Sequence, residues 1–263
     1  MRLFWELTLR SFKRQLAYRA ATFAGLLTNF FFGMLRIAVL VALYQGQADV
    51  AGLSLDGAIT FTGLTQSTIG FLSLFGWYDL MNSVYDGSVG IDLLKPMGLF
   101  RYWLAQDLGR AIGQLIFRGF PMLIAYAFFF GITTPSSAWQ WAALTITMLL
   151  GWLISFSMRF LVNLSSFWVP NALNIGRFFY TLSWFLSGFL MPLRFFPDWF
   201  VQLCRITPFP HALYTIVETY LGLLEGPDLI WAMVWQLMWF LALFLLGQFV
   251  LQRGVRRLVI QGG

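Results

Sequence analysis

Six long apolar stretches dominate the chain, near residues 20–44, 58–77, 111–132, 139–158, 173–191 and 229–251. A hydrocarbon core about 30 Å thick is crossed by about 20 mostly apolar residues of helix, so the pattern predicts six crossings. In lipid every backbone donor and acceptor needs an internal partner, which makes α-helix the structure for such runs. Composition agrees. Of 263 residues, 59% are hydrophobic and only 11% charged, where a soluble domain carries roughly a quarter. The expected fold class is all-α: a polytopic membrane protein with six transmembrane helices in a single transmembrane domain, 1–263.

The positive charges gather on every second connection. Arg2, Arg10, Lys13, Arg14 and Arg19 precede the first stretch, Lys95, Arg101 and Arg110 lie between the second and third, and Arg159 and Arg177 bracket the fourth connection. With Arg253, Arg256 and Arg257 after the last stretch, thirteen of the 17 Lys and Arg share one side. Connection 45–57 carries Asp49 and Asp56 with no basic residue, and 133–138 carries no charge. The positive-inside rule then places both termini in the cytoplasm. Arg194 and Arg205 fall on the outer side, and Arg36 and Arg118 fall inside spans. A net charge of +6 dispersed in this way excludes a nucleic-acid partner, which needs its basic residues on one face.

Other chemistries are excluded by what is missing. Cys204 is the only cysteine and His211 the only histidine, so no intrachain disulfide forms and the usual three or four His/Cys zinc ligands cannot be assembled. No G-x-x-x-x-G-K-[ST] phosphate loop occurs, so the chain has no nucleotide site of its own. Ser187-Gly188 with His211 does not make a hydrolase, because nothing in the sequence holds a base beside the serine.

Three segments differ from the spans. In 1–19, Trp5, Leu9, Phe12 and Leu16 recur at helical spacing with Arg10 and Arg14 opposite, the pattern of an amphipathic helix lying in the membrane interface. Only 14 residues separate Arg177 from Pro192, about 21 Å of helix, which is short for a crossing. Segment 192–227 is too apolar for a solvated loop and is divided by Pro197, Pro208 and Pro210. It is expected to form short re-entrant or interfacial helices between the fifth and sixth spans, an extracytoplasmic cap.

Polar residues inside the spans mark a possible path. Thr62, Gln66 and Ser73 share one face of the second span, with Asn29 in the first and Ser183, Trp184 and Ser187 in the fifth as further candidates. Such groups face either a water-filled route or a neighbouring helix, and both uses stay open. Arg36 and Arg118 are expected to be structural: Arg118 paired with a carboxylate of an inward loop, Arg36 snorkelling outward or paired with Glu218. Gly109 and Gly113 form a G-x-x-x-G, a sign of close packing by the third span.

The inward connection 78–110 mixes apolar and charged groups beyond what a simple link needs. Its string DLLKPMGLFRYWLAQDLGRA (92–111), together with SGFLMPLRFFPDWFVQLCRITPFPHALYTIVETYLG (187–222), resembles the permeases of type 2 ATP-binding-cassette exporters, in a subgroup where two related permeases serve one separate ATPase. The resemblance covers most of the chain. It implies a coupling helix at Asp92, Leu93, Leu94, Lys95, Pro96 and Arg101, with the leucines as an apolar plug and the charges fixing orientation. It also implies an ATP-binding-cassette ATPase partner holding the ATP and Mg, and a second permease, homologous or identical. The setting would be a bacterial cytoplasmic membrane, and the activity export of a hydrophobic or amphipathic substrate by alternating access. A non-transporting membrane scaffold is the alternative, and it would have no use for a force-bearing inward helix.

Overall fold

The computed structural model describes residues 1–17, 19–169 and 172–257. Tyr18 and the Arg19 side chain of the expected interfacial segment lie outside them, as do 258–263. Described in order, the helices are α1 (Arg2–Ala17), α2 (Arg19–Tyr44), α3 (Leu55–Leu72), α4 (Asp79–Tyr85), α5 (Val89–Leu93), α6 (Leu99–Gln114) and α7 (Phe120–Phe130). They continue with α8 (Ala138–Asn163), α9 (Leu173–Leu186), α10 (Asp198–Arg205), α11 (Pro208–Ala212), α12 (Tyr214–Tyr220) and α13 (Gly226–Val255). The only sheet among the described residues is a hairpin of β1 (Asp49–Val50) and β2 (Leu53–Ser54), closed by Ala51 and Gly52, both at positive φ. The molecule is all-α.

Four helical segments are long and apolar enough to cross a membrane: Thr22–Tyr44, Leu99–Phe130, Ala138–Phe167 and Gly226–Val255. The other two expected spans are occupied by α3, of 18 residues and rich in hydroxyls, and by α9, of 14 residues. The third span starts earlier than its apolar run suggests. α6 passes through a π-helical turn at Leu115–Gly119 into α7, so residues 99–110 of the expected inward connection belong to a spanning helix. Asp107 and Arg110 look solvated in sequence, yet they pair with each other at 2.8 Å within the helix. The π turn ends two residues before Pro121, whose missing N–H and bulky ring would strain a regular turn. α8 likewise continues past 158, because Arg159 and Asn163 are buried and hydrogen-bonded.

α3 is the axis of the bundle, with 14 of its 18 residues buried. A helix enclosed on all sides has to satisfy its polar groups internally. Thr60, Thr62, Ser67 and Thr68 donate to the carbonyls of Asp56, Ala58, Gly63 and Leu64 one turn back, removing the cost of burying a free hydroxyl. Ser54 caps its N-terminus, accepting from Gly57 N at 3.1 Å.

α1 lies along α6. Its Thr8 and Ser11 hydroxyls donate to Ala105 O at 3.0 Å and Gln106 O at 2.6 Å. The G-x-x-x-G of α6 makes this approach possible: a Cβ on Gly109 would overlap the Thr8 carbonyl oxygen, and one on Gly113 would lie 2.7 Å from Gln15 Cγ. Of the expected apolar stripe, Trp5, Leu9 and Leu16 stay exposed, while Phe12 packs against Phe117 at 5.7 Å. On the far side α13 rests on α8 through a seam of Gln236, Leu243, Gly247 and Gly254, with Phe160 and Phe167 filling the space beside the two glycines.

Segment 192–227 folds into α10, α11 and α12, and the last two pack against α8. Gln140 Nε2 donates to Thr219 O and Tyr220 O, and Gln236 Nε2 to Thr147 O and His211 O. Arg194 reaches Gly52 O at 2.7 Å and Glu218 at 3.6 Å, joining this cap to the hairpin. Burial outweighs the long Arg194 contact and pushes the Glu218 carboxyl up to about 7. Trp199 and Leu203 on α10 and Ile206 just after it stay exposed.

Candidate functional site

The expected coupling residues form a protruding turn from the end of α5 into α6. Leu94 is 86% exposed and Ile91 67%. Leu93 turns inward against the aromatic cluster of Trp77, Phe100, Trp103, Phe156 and Phe160. Of the two leucines expected to form the plug, only Leu94 is exposed, on the same side as Ile91, with Leu93 packed beneath. Lys95 Nζ lies 2.6 Å from Asp92 and 3.7 Å from the centre of the Tyr102 ring. Desolvation alone would lower the Lys95 pKa, but the hydrogen bonds that its ammonium donates to Asp92 and Tyr102 prevail and hold it above its usual value. Pro96 and Arg101 are exposed, so the turn offers an apolar tip flanked by an oriented ammonium and an exposed guanidinium.

Behind the tip lies a buried ionic network that the sequence reading treated as topological charge. Arg159, only 2% exposed, grips Asp107 with two bonds of 3.0 and 2.9 Å. Arg110 approaches the same carboxylate at 2.8 Å, and Trp152 Nε1 donates to it at 2.8 Å. Arg110 continues to the carbonyls of Gly70 and Phe71 at the end of α3. Ser155 takes the next carbonyl, Leu72 O, at 2.7 Å, Trp184 takes Leu74 O at 2.8 Å, and Tyr180 and Asn163 each take Trp77 O at 2.9 Å. The C-terminal end of α3 is thus held by side chains of α6, α8 and α9. The legible signal was an acid and two guanidiniums in apolar surroundings on neighbouring helices.

Of the seven path candidates, three converge. Ser73, Ser183 and Ser187 line one internal cavity of about 20 Å³ together with Ser155, Arg159 and Tyr180, room for a single water. The Ser187 hydroxyl has no hydrogen-bond partner among the described residues. Asn29, Thr62, Gln66 and Trp184 do not line this cavity. Thr62 spends its hydroxyl on Ala58 O, and Trp184 braces Leu74 O. Asn29 and Gln66 are buried at the contacts of α2 with α3 and α7, where Gly33 lies between Gln66 and the Tyr126 hydroxyl.

Arg36 and Arg118, both within apolar spans, find partners other than the expected ones. Arg118 has no carboxylate partner among the described residues; its Nη2 donates to Gly25 O at 3.0 Å. Arg36 neither snorkels nor meets Glu218. It donates to Phe189 O and Leu190 O and rests over the Phe189 ring at 5.0 Å. α9 ends at Leu186 and the chain turns at Gly188, φ +71°, which leaves carbonyls without helical partners. A guanidinium supplies donors there and complements the negative end of the helix dipole.

The long apolar helices define a multi-pass membrane protein. A family model described as ABC-2 family transporter protein matches residues 30–262. The chain belongs to that family, and is a membrane permease component of an ATP-binding-cassette exporter with, in general terms, an ATPase partner. No curated protein matches it.

Proposed function

We propose that the chain works as one of two permeases, a copy or a relative facing it, that export a hydrophobic or amphipathic substrate through a shared path by alternating access. ATP and Mg reside in the separate ATPase. Both termini and the α5–α6 turn face the cytoplasm, and α10–α12 face outward, in a bacterial inner membrane traversed six times. The single observation that carries this reading is the exposed Ile91–Leu94 tip set directly on the helix Leu99–Phe130. Seated in the ATPase, the tip transmits its push along α6, and the Asp107 network spreads the load to α3 and α8. The serine-lined cavity at the end of α3 supports a path that opens when α9 and α11 move apart.

Burying a leucine is worth about 1.5–3 kcal/mol, at least tenfold in association. Replacing Leu94 and Pro96 together by alanine is expected to weaken ATPase association or ATP-dependent export by about that factor, with membrane insertion intact. Unchanged transport at full expression would remove the coupling assignment and favour the scaffold.

A further inference from the structure

Where α1 meets α2 an open groove of about 440 Å³ is lined, among the described residues, by Gln15 and Leu16 of α1, Phe23 and Leu26 of α2 and Phe117 of the π turn. Its walls are held in place. Phe117 packs on Phe12 at 5.7 Å, Gln15 Oε1 accepts from Gln114 Nε2 at 2.8 Å, and the Gln15 stem rests on Gly113. That bond uses the carbonyl end of the Gln15 amide and leaves its two hydrogens. No acceptor for them occurs among the described residues.

The surroundings decide what can fill the groove. Phe23 is 62% exposed at the start of the spanning segment Thr22–Tyr44, so hydrocarbon borders it there. A peptide entering from that side would carry unpaired backbone groups into lipid, and an acyl chain carries none. The rim is basic. Lys13 neighbours Leu16 on the surface of α1, and Arg10 lies a further three residues back. Both are exposed and form no ion pair among the described residues, and Glu6, the one acid of α1, is taken by Arg2 at 3.1 Å. An apolar slot with one oriented amide and an unpaired basic rim matches a molecule that has a long apolar chain, ester carbonyls and an anionic head.

We propose that the groove holds one anionic phospholipid, with an acyl chain between Leu16, Phe23, Leu26 and Phe117, an ester carbonyl at the Gln15 amide and the headgroup at Lys13 and Arg10. Bound there, the lipid bridges α1 and α2. The site depends neither on the ATPase nor on which way the chain crosses the membrane.

The test uses the full-length protein purified in detergent and a phosphatidylglycerol with a photoreactive diazirine at the end of one acyl chain. Saturable crosslinks are expected within 15–26 or 114–119. Plain phosphatidylglycerol should compete at an at least about fivefold lower concentration than phosphatidylcholine with the same chains, the factor that one basic residue contributes near an anionic lipid. Glycerol 3-phosphate, which has the charge without the chains, is expected not to compete. Arg10→Gln/Lys13→Gln should make the two lipids equal competitors with the crosslink retained. Leu26→Trp, which fills the groove, should remove this crosslink while those on α13 persist. Phe23→Ala, at an exposed position, should weaken it in the same selective way. Crosslinks no denser here than along α13, equal competition by the two lipids in the parent, or competition by glycerol 3-phosphate would overturn the inference. So would a preference retained in Arg10→Gln/Lys13→Gln, or crosslinking unchanged in both groove variants.

Discussion

Asp107 is the residue on which the interior depends most, because two guanidiniums and an indole converge on one fully enclosed carboxylate. Breaking a buried ion pair by removing one partner costs about 3–5 kcal/mol, since the other charge is left uncompensated. Asp107→Asn should therefore lower the thermal midpoint of the detergent-purified protein sharply. The double variant Asp107→Asn/Arg159→Gln should lose less than the sum of the single losses, a coupling that a double-mutant cycle reads directly. Additive losses would show the pair to be energetically independent. Gly109 offers a second test at this scale. Valine there would overlap the backbone of α1 at Thr8 and should release that helix, seen as faster proteolysis between α1 and α2 with the rest of the bundle intact.

Among the elements, the cap is the most sensitive to pH. Glu218 has a folded-state pKa raised from 4.5 to about 7, first through desolvation and against the pull of Arg194 and Arg205. Folding thus favours its protonated form. That contribution is fully present below about pH 4.5 and is lost as pH rises through about 7. Burial lowers the pKa of His211 in the same cap, which opposes this trend, so the test is the comparison: the midpoint at pH 5 relative to pH 8 should be higher in the parent than in Glu218→Gln, and an unchanged slope in the variant would place the pH dependence elsewhere. The elements also show what sequence can convey. The apolar runs of α2, α8 and α13, the amphipathic stripe of α1 and the proline-divided cap were legible because lipid imposes length and periodicity on them. The start of α6 was not, since a charge paired within a helix looks the same in sequence as a solvated one. Nor was the role of Arg36, whose acceptors are carbonyls at Phe189 and Leu190, far along the chain and silent in composition. At the α5–α6 turn, which leucine points outward was decided by a single helical turn, and the exposure of Ile91 beside Leu94 was not read from the sequence.

At the scale of the whole molecule the proposed function turns on sidedness, because it puts the Leu94 tip and α10 on opposite faces of one membrane. The lone Cys204 is buried, so a Cys204→Ala background is free of competing thiols. In that background Leu94→Cys and Trp199→Cys, both at strongly exposed positions, can be challenged with a membrane-impermeant maleimide in intact cells and again in inverted vesicles. The account predicts that Trp199→Cys is labelled only in cells and Leu94→Cys only in inverted vesicles. Labelling of both from the same side would contradict it, and the docking of an ATPase on the α5–α6 turn would fall with it.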